Sequence, residues 1–114
     1  MKHKNTLQKG RVRFVIFRES ADWYAAVLEF NIIESGTTPR EAYLLATEAA
    51  AGYLASARKI KARPHILNQK PNKEYEAMWR AFHESNPNKK TLKDIFSAGE
   101  FSVSGLINKN LVPA

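Results

Sequence analysis

From Arg11 to Arg18 the chain alternates with a period of two, setting Val12, Phe14 and Ile16 on one face and Arg11, Arg13, Val15 and Phe17 on the other. That period predicts a β-strand. Glu19-Ser20-Ala21-Asp22 supplies turn chemistry, and Trp23 to Phe30 alternates again, with Tyr24, Ala26, Leu28 and Phe30 opposing Trp23, Ala25, Val27 and Glu29. Two such runs so closely joined predict a hairpin. Asn31 interrupts the pattern, and Ile32 to Ser35 predicts a short third strand ending at Gly36.

Thr38-Pro39-Arg40-Glu41 then combines a capping threonine, proline at the first helical position and glutamate at the third. A helix from about Thr38 to Lys61 is predicted. Its stripe of Ala42, Leu45, Ala46, Ala49, Tyr53 and Ala57 is expected to lie on the Val12, Phe14, Ile16 face, with Leu45 buried. Arg58, Lys59, Lys61 and Arg63 cluster where positive charge complements the helix dipole, and Pro64 stops the helix. His65-Ile66-Leu67 is expected as a short fourth strand. Asn68 to Pro71 is polar and marks a boundary, after which Asn72 caps a second helix with an apolar stripe of Tyr75, Met78, Trp79 and Phe82. The opposite sheet face, taken as Val15, Phe17, Trp23, Ala25 and Val27, lacks a cover. The stripe is therefore expected to fold back onto it or to pack against a second copy, making a homo-oligomer. Thr91 to Asp94 predicts the start of another short helix ending at Gly99, and Thr91 to Asn108 can be laid onto a helix-turn-helix with Ser102 to Ser104 opening its second helix.

The expected fold is α+β: a three- or four-stranded, mainly antiparallel sheet with one long helix packed on one face, plus a helical C-terminal extension. Residues 1–9 form a flexible basic tail, 10–70 a compact unit and 71–114 the extension. With 114 residues there is room for one core. No cysteine is present, which suits a reducing compartment, and no apolar run reaches the roughly 20 residues of a membrane span, so a cytoplasmic protein without a membrane partner is expected.

Formal net charge is +7, and residues 1–70 hold 12 Lys and Arg against 6 Asp and Glu. A field of that sign favours nucleic acid, through Arg58, Lys59, Lys61 and Arg63 or through Lys89, Lys90 and Lys93. His3, His65 and His83 lack metal-ligand spacing, the glycines form no phosphate loop, and Asp22, Glu29, Glu34, Glu41 and Glu48 define no convergent carboxylate pair. No catalytic residue, metal or cofactor is assigned.

In order along the chain, Trp23-Tyr24-Ala25-Ala26-Val27-Leu28-Glu29, Gly36-Thr37-Thr38-Pro39-Arg40-Glu41-Ala42, Glu48-Ala49 and Tyr53-Leu54 resemble the HicB antitoxin family. The resemblance spans about residues 10–67. It implies a partial RNase H-like fold without the catalytic carboxylates, in a protein that binds and blocks a small, basic, mRNA-cleaving toxin of the HicA type. Under that expectation the partner surface is the aromatic and acidic edge around Trp23, Tyr24, Glu29 and Glu34, since aromatics anchor interfaces and carboxylates meet a basic partner.

Overall fold

A computed structural model of the protein describes residues 4–84 and 94–111. The elements run β1 (Arg11–Glu19), β2 (Asp22–Val27), β3 (Ile32–Gly36), α1 (Pro39–Lys59), a 3-10 turn (Pro64–Leu67), α2 (Lys73–His83), β4 (Asp94–Ser102) and α3 (Val103–Leu111). The four strands form one antiparallel sheet in the order β3-β2-β1-β4. The α+β architecture, the first three strands and the long helix on the sheet are as the sequence pattern predicts. Among the described residues no helix is long and apolar enough to cross a membrane.

Helix α1 begins where its sequence dictates. The Thr38 hydroxyl accepts from the Glu41 amide at 3.0 Å, and the Glu41 carboxylate reaches one residue past the cap to accept from the Thr37 amide at 2.7 Å, a variant of the capping box. Gly36 permits this: a Cβ there would stand 2.8 Å from the Ala42 nitrogen. Ala42, Ala46, Ala50 and Ala57 bring the helix close to the sheet, where they meet Val12, Ile16, Ala25 and Val27. Leu45 is not among them. It is 39% exposed, because the face that meets the strands runs through Ala42, Ala46, Ala50, Leu54 and Ala57, and Leu44 and Leu45 turn outward.

Helix α3 joins α1 on this face, burying Val103 and Leu106 in the same core, and Ser102 caps it by accepting from the Gly105 amide at 3.0 Å. On the other face Met78 of α2, flanked by Tyr75 and Trp79, covers Val15, Phe17, Ala26 and Leu28. The second apolar stripe thus folds back onto its own sheet, although Phe82 remains 44% exposed.

Three expectations are corrected here. The pairs Ile16↔Ala25 and Phe17↔Tyr24 put Ala25 and Val27 on the α1 face and Tyr24, Ala26 and Leu28 on the α2 face, the reverse of the assigned parity. The loop Ser20-Ala21 decides this, with Ser20 at φ 58 turning the chain within two residues. His65 to Leu67 belongs to the 3-10 turn, since Pro64 opens a tight bend and Asn68 Nδ2 bonds the Pro64 carbonyl at 2.8 Å. Asp94 to Gly99 is strand, pairing with β1 from Arg18↔Asp94 onward, so the helix and the helix-turn-helix drawn over it do not form. Residues 91–93 lie outside the described residues.

A candidate nucleic-acid interface

Residues 4–9 are tied to the rest of the fold. Asn5 is 1% exposed and bonded on every side: its side-chain amide donates to the Leu67 carbonyl at 2.9 Å, and its Oδ1 accepts from the Arg11 amide at 2.8 Å. Its backbone exchanges two bonds with the Asn68 side chain, both at 2.9 Å. Gly10, at φ 133, lies so close that a Cβ would collide with the Asn5 side chain. Between them Thr6 ties the loop, its hydroxyl accepting from the Lys9 amide at 3.0 Å, and Arg58 Nη1 donates to the Leu7 carbonyl at 2.6 Å.

These bonds bring together two stretches of chain that contain no acid. Residues 1–18 have none, and neither do residues 49–73. Where they meet, Lys4, Lys9, Arg58, Lys59, Lys61, Arg63 and Lys70 are all exposed, and among the described residues none of them takes part in an ion pair. Lys61 sits at φ 52, in the left-handed position that closes the helix. This end of the molecule therefore presents a field of uncompensated positive charge on a fixed backbone.

A cleft of about 810 Å³ runs from this end toward α2, lined by Lys4, Arg11, Lys70 and Arg80 among others. Within it Arg13 bonds Glu29 through Nε at 2.7 Å and Glu76 through Nη2 at 3.0 Å, and its guanidinium lies 5.3 Å from the Trp79 ring centre. Burial alone would lower the Arg13 pKa, but the bonds and charges of Glu29 and then Glu76 outweigh it, holding the group above its ordinary value. Trp79 Nε1 donates to the Gly99 carbonyl at 3.0 Å. The network fastens α2 to β1 and β4.

The sequence-predicted residues fall in several places. Arg58, Lys59, Lys61 and Arg63 share the basic end, whereas Lys89, Lys90 and Lys93 lie outside the described residues. Trp23 is half-buried on the α1 face beside Phe96 at 5.9 Å, while Tyr24 stacks on Phe17 at 5.7 Å on the opposite face. Glu29 is held by Arg13, and Glu34 stands on β3 across from Ala25. The structure does not bring these four into one surface. Asn5, Lys4, Lys9 and Lys70, absent from the sequence-based selection, join the site because Asn5 and Asn68 clasp. Among the described residues no three His, Asp or Glu side chains gather so as to hold a metal ion. Comparison with protein-family models, with curated proteins and with solved structures finds no match.

Proposed function

We propose that this chain is a binding protein that docks nucleic acid through its basic end. The observation that carries this is the clasp joining two acid-free stretches into one exposed surface whose seven cations have no ion-pair partner among the described residues. Phosphate backbones reward such a surface, since each neutralised phosphate releases condensed counterions. The carboxylates best placed for chemistry have other duties: Glu29 and Glu76 hold Arg13, and Glu41 closes the α1 cap. The test is an amide NMR titration of the full chain with a duplex of about 20 base pairs at low salt. Shifts concentrated in residues 4–11 and 58–70 are expected, and shifts scattered over the surface would contradict the proposal.

A second reading is a HicB-like interaction protein that binds a small basic partner of the HicA type. The strand, strand, strand, helix order from β1 to α1 supports it. So does the charge of residues 19–57, which hold Glu19, Asp22, Glu29, Glu34, Glu41 and Glu48 against Arg40 alone. Co-purification with a basic protein encoded beside it tests this reading.

A further inference from the structure

We propose that the outer edge of β3 accepts an extended strand from a partner protein, one whose side chains alternate between apolar and basic. This deepens the second reading and is independent of what the basic end binds.

β3 closes one side of the sheet and, among the described residues, pairs only with β2, from Trp23↔Gly36 to Val27↔Ile32. Its outer backbone groups therefore face away from every strand among the described residues. Edge strands are commonly protected by proline, charged side chains or a bulge. β3 contains no proline or lysine, its one charge is Glu34, and its register with β2 runs without a shift. The other edge, β4, is treated differently. Its pairing skips Phe96 between Ile16↔Ser97 and Phe17↔Ile95, which bends that edge.

The side chains of β3 specify what would fit. Ile33, opposite Ala26 on the α2 face, is 46% exposed, large for an isoleucine. Glu34, opposite Ala25, points to the α1 face, and Glu41 follows close beside Gly36. A strand laid alongside meets Glu34, next to half-buried Ile32, on one face and Ile33, next to Ser35, on the other, so basic residues suit the first face and apolar ones the second. A second copy would bring two acidic 19–57 segments edge to edge, and like charges so placed oppose pairing. Charge complementarity selects a basic partner.

The probe is a synthetic peptide of about ten residues alternating valine and lysine, with a valine and glutamate peptide as its control, each added to the full chain. Hydrogen exchange of the outward amides within residues 32–36 should slow with the lysine peptide, and the glutamate peptide should bind at least tenfold more weakly. Ile33→Lys, at a site exposed enough to leave the fold intact by circular dichroism, should weaken binding at least tenfold. Glu34→Lys should invert the preference between the peptides. Unchanged exchange at residues 32–36, or equal affinity for both peptides, would overturn the proposal. Concentration-dependent protection of these amides without peptide would also overturn it, in favour of a second copy. A basic protein that bound while leaving them unchanged would overturn the edge and keep the broader reading of a protein partner.

Discussion

Replacing Asn5 with alanine removes two hydrogen bonds at once, and both leave a partner behind. The Leu67 carbonyl loses its 2.9 Å bond to the side-chain amide, and the Arg11 amide loses its 2.8 Å bond to Oδ1. Leu67 is fully buried and Asn5 1% exposed, so water does not readily replace either bond. Each unsatisfied group costs about 1 to 3 kcal/mol, which gives a destabilisation of about 2 to 4 kcal/mol when partial relaxation is allowed. Urea unfolding followed by tryptophan fluorescence reads this directly: at an m-value near about 1.5 kcal/mol/M the midpoint falls by roughly 1 to 3 M. Asn5→Asp retains the acceptor for Arg11 but sets a carboxylate oxygen against the Leu67 carbonyl, and it should be destabilised as well. Both variants should release residues 4–9 to faster amide exchange, which separates opening of the clasp from general loosening. A loss under about 0.5 kcal/mol for Asn5→Ala would refute the clasp, since it would mean that neither group depends on Asn5.

Core truncation should discriminate between two apolar residues that look alike in the sequence. Met78→Ala, at a buried site between α2 and the sheet, should cost about 2 to 5 kcal/mol, whereas Leu45→Ala, on the outer side of α1, should cost under about 0.5 kcal/mol by the same urea measurement. Lys61→Gly relieves a left-handed backbone position at φ 52 and should stabilise the protein by about 0.5 to 1 kcal/mol while weakening nucleic-acid binding, a combination that a purely structural role for Lys61 does not produce.

Much of the fold is legible in the sequence because local signals and tertiary needs coincide in its first half. The capping box at Thr38 marks the start of α1, and period-two runs mark β1 and β2. Parity of β2 was hidden, since alternation defines two faces without saying which meets the helix; the two-residue loop at Ser20-Ala21 settles that. Leu45 misleads because Ala42 and Ala46 begin both the expected stripe and the buried one, which continues through Ala50 and Leu54 rather than Ala49 and Tyr53. Residues 94–102 carry no clean alternation, since the bulge at Phe96 puts Ile95 in the α2-side core and Phe101 in the α1-side core; the cap-like Thr91 precedes them, and pairing with β1 decides for strand. The basic end was half visible. Arg58 to Arg63 form a run, whereas the contribution of Lys4 and Lys9 depends on Asn5 meeting Asn68 across the chain, a contact that no local pattern encodes.

Docking of nucleic acid at the basic end is tested most directly by the salt dependence of duplex binding, measured by fluorescence anisotropy on the full chain. If all seven exposed cations of the clasped surface engage phosphates, a plot of log affinity against log salt should fall with a slope of roughly −6. Substituting Lys59, Lys61 and Arg63 together by alanine should then reduce the steepness by about 3, with the urea midpoint little lowered. Absence of binding at about 50 mM salt, or a slope that the triple substitution leaves unchanged, would contradict nucleic-acid docking at this surface.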